Sequence, residues 1–92
     1  MKELMNDPTT SIIDVRTRSE FSGGHVAGSV NIPLQELPAH VDELMAREGA
    51  IIFCCASGGR SGSATQMLQE KGHPAVHNGG GWMAVNRMKN EG

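Results

Sequence analysis

Residues 50–62, AIIFCCASGGRSG, constrain the fold more than any other stretch of the chain. Ala50 to Cys54 is uninterrupted by polar side chains, as expected of a central strand covered on both faces, and such strands belong to parallel sheets with helices packed on each side. The glycines that follow end the strand in a turn, and Ser61 is placed to cap a helix running to about Lys71, with Ala64, Met67 and Leu68 inward and Gly72 as its stop. In a strand, glycine-rich turn and helix of this order the turn amides converge on one centre, and the helix start adds about half a positive charge there. The device is an anion cradle.

The same alternation of apolar runs and turn residues continues along the chain. Ser11 to Val15 reads as a buried strand ending in polar Asp14 and Arg16, after which Thr17 to Glu20 fits a capping box and Gly23-Gly24 stops the short helix. Val30 to Ile32 is a second strand closed by Pro33. A helix is expected over Leu37 to Glu48, because Leu37, Val41, Leu44 and Met45 line one face while His40, Asp42, Glu43 and Arg47 face water. A last strand near Ala75 to Asn78 leads through Gly79-Gly80-Gly81 to a terminal helix carrying Trp82, Val85 and Met88, and Met1 to Pro8 reads as the tail of a helix. The expected architecture is one α/β domain spanning residues 1–92, with a short central parallel sheet flanked by helices on both faces.

A chain of 92 residues buries only about 60–65% of its unfolded surface, so the core is thin. With two phenylalanines and one tryptophan, part of that core falls to the six methionines. A net charge of -2 with scattered cations argues against nucleic acid or an acidic membrane as partner. The sequence has no apolar run long enough to span a bilayer, and Met1-Lys2-Glu3 opens a polar segment rather than a signal peptide, which reads as a cytoplasmic protein.

Adjacent Cys54 and Cys55 close no useful loop and so do not form a structural disulfide, while the absence of a CxxC pair and the dispersed histidines argue against zinc. Reactive thiol chemistry in a reducing compartment remains. A thiol in the cradle is expected to have a depressed pKa, since dipoles, amides and Arg60 all favour the thiolate. Five residues separate Cys54 from Arg60 and four separate Cys55 from it. The shorter register gives a loop sized for one sulfur-bearing group on the thiolate, and the longer could encircle a phosphate. Consecutive strand residues point to opposite faces, so only one of the two sulfurs can look into the cradle.

Three motifs in order then carry a resemblance: Ile12-Ile13-Asp14-Val15-Arg16 with Glu20-Phe21 and Gly24 to Pro33 (GHVAGSVNIP), next Cys55-Ala56-Ser57-Gly58-Gly59-Arg60-Ser61, and last Gly80-Gly81-Trp82. From Ser11 onward the chain resembles a single-domain rhodanese, a sulfurtransferase whose cysteine carries a persulfide. The resemblance implies that Cys55 is the nucleophile, that the amides of Ala56, Ser57, Gly58, Gly59, Arg60 and Ser61 hold anionic substrate, and that Arg60 is either a substrate contact or a loop brace. It implies no metal or organic cofactor, a small anionic sulfur donor or a partner-protein persulfide, and a thiol acceptor. Members specialised for thiosulfate carry extra cations in this loop, where Ala56 and Ser57 are neutral, so thiosulfate is expected to be a poor donor. The family's usual first edge strand is expected to be absent.

The alternatives are a phosphatase or arsenate reductase using Cys54, and a non-catalytic binding module of the same fold. Phosphatases of this fold tend to place histidine or another polar group before the cysteine, where this chain has Phe53. Asp14 and Arg16 are expected to form an ion pair bracing the loops rather than to bind ligand, and His25 to anchor its turn rather than to move protons. Cys54 reads as a small buried apolar residue, with a resolving thiol as the other possibility, and Trp82 reads as a core anchor. His40, His73 and His77 read as surface residues.

Overall fold

The computed structural model describes residues 1–91. Its elements, in chain order, are α1 (Lys2–Met5), β1 (Ser11–Asp14), α2 (Arg18–Ser22), β2 (Val30–Asn31), a 3-10 helix (Leu34–His40), α3 (Val41–Ala46), β3 (Ile51–Cys55), α4 (Gly59–Glu70), β4 (Val76–Gly81) and α5 (Trp82–Glu91). The strands form one parallel sheet in the order β2-β1-β3-β4. As the unbroken apolar run requires, all five residues of β3 are buried.

The period-2 pleat divides the core in two. On one face Ile13, Val15, Ile51, Phe53 and Cys55 pack with Leu37, Leu44, Ala64 and Leu68 from the 3-10 helix, α3 and α4. On the other face Ile12, Ile52 and Cys54 pack with Met5 and Val85, and with partly buried Leu4, Trp82 and Met88, from α1 and α5. The sheet therefore lies between two helical layers. From β1 the chain runs to β2 on one side, and β3 and β4 lie on the other, so the switch in strand order falls between the carboxyl ends of β1 and β3, where open α/β sheets bind ligands.

Several boundaries differ from the sequence reading. Pro38 lacks an N–H and its ring clashes with a preceding carbonyl, so the stretch before Val41 winds as a 3-10 helix, and the α-helix is confined to Val41–Ala46 instead of Leu37 to Glu48. The inward face survives, with Leu37 and Leu44 buried and Val41 and Met45 against the core. The second strand is Val30–Asn31, one residue shorter than expected. Helix α4 starts at Gly59 behind Gly58, whose φ of 106° is left-handed, so Ser61 is inside the first turn and does not cap the helix. The three glycines 79–81 belong to β4, with a register shift that pairs Phe53 with Asn78 but Cys54 with Gly80. His73 is buried at 8% exposure, its Nδ1 accepting the Ala75 N–H at 3.1 Å in the turn before β4, and is not a surface residue.

Candidate active site

Cys55 ends β3 with its sulfur at the floor of the turn, where Sγ accepts hydrogen bonds from the Gly58 N–H at 3.0 Å and the Ser61 N–H at 3.4 Å. The Ser61 hydroxyl lies 3.3 Å from the same sulfur. Burial works against the thiolate and is the largest single influence, yet hydrogen bonds from the Ser61 side chain and from the amides of Ser61, Gly58 and Ser57 outweigh it. Together they hold the Cys55 thiol below the ordinary cysteine value. Cys55 is only 1% exposed, whereas Ala56, Ser57 and Gly59 are exposed and form the rim above it.

Cys54 lies on the other side of the sheet, 0% exposed and facing the α1 and α5 layer. Burial first, and the nearby Asp14 carboxylate second, push its thiol up to about 12. Only one of the adjacent sulfurs is in the cradle.

Arg60, left open by the sequence as contact or brace, is paired with Glu20. Its Nη1 and Nη2 donate to Glu20 Oε1 at 2.8 Å and Oε2 at 3.0 Å, a fork-to-fork pair that ties the start of α4 to α2. Glu20 also completes the capping box of α2, its Oε1 accepting from the Thr17 N–H at 3.0 Å while its own N–H donates to Thr17 Oγ1 at 3.2 Å. Arg60 before all, with Thr17 assisting, holds the Glu20 carboxyl down at about 2. Sequence reading found the cap and missed this second role, because a contact across forty positions leaves no local signature.

Asp14 and Arg16 form a buried pair, with Arg16 Nε 2.9 Å from Asp14 Oδ1 and Nη2 2.7 Å from Oδ2. Arg16 also donates to the carbonyls of Gly24 at 2.7 Å and Glu20 at 3.3 Å, and its guanidinium lies 4.8 Å from the centre of the Trp82 ring. His25 donates through Nδ1 to the Phe21 carbonyl at 2.8 Å and stacks on the Phe21 ring at 3.8 Å. A further residue comes from β4. Asn78 Oδ1 accepts from the Ser61 hydroxyl at 2.7 Å and the Gly80 N–H at 2.9 Å, while Nδ2 donates to the Gly58 carbonyl at 3.1 Å. The sequence marked Asn78 only as a strand end, since its role depends on β4 lying beside β3.

Among the described residues, no helix is long and apolar enough to cross a membrane. The chain is 32% identical over 81 residues to the thiosulfate sulfurtransferase PspE of Escherichia coli, covering 87% of this chain and 78% of that protein. It is 39% identical over 67 residues to the uncharacterized protein YqhL of Bacillus subtilis, where it covers 73% of this chain but spans only 52% of the relative's length. A dual specificity phosphatase is also among the matched proteins. The fold superposes on a rhodanese with anions from E. coli with a TM-score of 0.73 at 32% identity, covering 82% of this chain and 89% of the other. The rhodanese-like domain model matches residues 1–88, beginning upstream of Ser11 where the sequence motifs start. With a parallel sheet in the order β2-β1-β3-β4 and a cysteine cradled after its β3 strand, the chain belongs to the rhodanese-like domain family.

Proposed function

We propose that the chain is a sulfurtransferase that carries sulfane sulfur as a persulfide on Cys55. The observation that carries this reading is the set of donors on Cys55 Sγ, from Gly58, Ser61 and Ser57, which favour an anion on that sulfur and on its persulfide. In the first half-reaction the Cys55 thiolate attacks the outer sulfur of the donor. The new S–S bond forms as the donor's S–S bond breaks, and the leaving group, sulfite from thiosulfate or a thiolate from a small-thiol persulfide, departs with the electron pair. In the second half an acceptor nucleophile, cyanide or a thiolate, attacks the outer sulfur and Cys55 leaves as the thiolate. Loop amides from Ala56 to Ser61 hold the anions and keep the donor in line. Sulfur transfer is also the activity in the name of the PspE relative.

A phosphatase reading draws on the phosphatase among the relatives and requires the longer loop from Cys54. The position and high pKa of Cys54 work against it, since a protonated sulfur on the far face of the sheet cannot attack a group held over Cys55. Intact-protein mass spectrometry after exposure to a persulfide donor tests the proposal. The expected result is a gain of one sulfur atom that is lost in Cys55→Ser and kept in Cys54→Ser. Release of phosphate from an aryl phosphate that disappears in Cys54→Ser would overturn it.

A further inference from the structure

Arg60 is the only charged residue in the loop from Cys55 to Ser61, and both of its terminal nitrogens are engaged by Glu20. The carboxylate lies on α2, after β1, and the guanidinium on α4, after β3, so the pair bridges the segments that follow the two strands between which the strand order switches. The loop therefore offers a donor oriented amides and a helix start, with its one full positive charge matched by a negative one. Resting on the sulfur-transfer reading, we propose that Glu20 is a specificity residue: by neutralising Arg60 it tunes the Cys55 loop toward monoanionic persulfide donors and against the dianion thiosulfate.

The chemistry sets the sign. Attack on thiosulfate brings a dianion up to an anionic sulfur, and sulfite leaves with the electron pair of the broken S–S bond, so three negative charges share the loop in the transition state. Attack on the persulfide of a neutral thiol collects two. A net positive charge at position 60 lowers the barrier for the first reaction more than for the second. Glu20 removes that advantage without touching the sulfur.

Glu20→Gln is a clean probe, because a glutamine at this position still accepts from Thr17 and keeps the capping box while losing the charge. The experiment measures kcat/KM with thiosulfate and with the persulfide of 2-mercaptoethanol, using cyanide as acceptor, and follows the Cys55 persulfide by mass. In Glu20→Gln the ratio of thiosulfate to persulfide use should rise roughly three- to tenfold at low ionic strength and fall back toward the wild-type ratio in ~0.5 M salt. Arg60→Gln, which leaves the Glu20 charge unmatched, should move the ratio the other way, and the double variant should return it to the wild-type value. Equal changes for both donors, or a ratio indifferent to salt, would mean that the pair only braces the loop and would overturn the inference while leaving the persulfide mechanism intact. Absence of a Cys55 persulfide from either donor in the unaltered protein would overturn both.

Discussion

The Ser61 hydroxyl stands between two partners, 3.3 Å from Cys55 Sγ and 2.7 Å from Asn78 Oδ1. It has one proton to give. Asn78 Oδ1 is fixed as an acceptor, since it also receives the Gly80 N–H while Nδ2 donates to Gly58. With Cys55 protonated, the S–H donates to Ser61 and Ser61 donates on to Asn78. With Cys55 ionised, the Ser61 proton turns to the sulfur. Asn78 thus competes with the thiolate for that proton and at the same time holds Gly58, whose amide supports the thiolate.

Replacing Ser61 by Ala should slow alkylation of Cys55 by iodoacetamide at pH 7 modestly, since the amides of Gly58, Ser61 and Ser57 remain. Asn78→Asp should slow it more, about three- to tenfold, because a carboxylate near the sulfur disfavours a second negative charge and cannot donate to the Gly58 carbonyl. The rate–pH profile of alkylation reads both effects as an upward displacement of its midpoint. A faster reaction in Asn78→Asp would refute the account.

Much of this site was legible in the sequence because its parts are local. Cradle, capping box and pleat each follow from residues within a few positions of one another; the pleat puts Cys54 and Cys55 on opposite faces, and it was the family resemblance that implied Cys55 as the nucleophile. What could not be read depends on which strands become neighbours. Glu20 meets Arg60, and Asn78 meets Ser61, only once the sheet has placed β1 and β4 on either side of β3. The helix boundaries failed for another reason. Apolar spacing from Leu37 to Met45 fits one helix, but Pro38 denies it the backbone ladder, and local covalent chemistry overrode the pattern.

Cys54 gives a pH signature of its own. Its thiol is raised to about 12 in the folded chain, against roughly 8.5 for an unfolded cysteine. Between these values the unfolded chain loses the proton and the folded chain keeps it. Stability is therefore untouched below the unfolded value and falls as pH rises above it, by about 1.4 kcal/mol per pH unit from this group. In Cys54→Ala that slope should vanish, at a cost of roughly 1 kcal/mol at neutral pH for the lost packing. Urea denaturation of both proteins from pH 7 to 11 checks it, and parallel stability curves would count against the assigned burial.

Breaking the Asp14 and Arg16 pair should cost far more than breaking a surface pair. The two side chains are 0% and 5% exposed, and removal of the carboxylate leaves the guanidinium buried without a counter-charge. Asp14→Ala is expected to lose about 3–5 kcal/mol. The loss should spread to α2, because Arg16 also holds the carbonyls of Glu20 and Gly24. Hydrogen exchange would locate it: early exposure of residues 18–24 in a variant that still folds is the expected pattern, and uniform exposure along the chain would contradict it.

Gly81 tests how closely the sheet presses on the loop. A Cβ built at this position would lie 2.9 Å from the Ala56 carbonyl oxygen, and backbone has little room to give. Gly81 is paired with Cys55 in the β3 and β4 ladder, so any retreat of Ala56 is transmitted directly to the residues that surround the sulfur. Gly81→Ala should therefore displace the rim of the loop, with a stability loss of about 1–3 kcal/mol from the overpacking. Gly23 supplies the control, since a Cβ there meets only the Glu20 and Ser19 carbonyl oxygens, at 3.5 and 3.9 Å, and the residue lies outside the Cys55 loop, at the end of α2. Measured side by side, Gly81→Ala should lower the rate of Cys55 persulfide formation at least about tenfold, as displacement of reacting groups by an ångström does, while Gly23→Ala stays within about twofold of the unaltered chain. If the two variants lose activity equally, the close approach of β4 to the loop has no part in placing the thiolate.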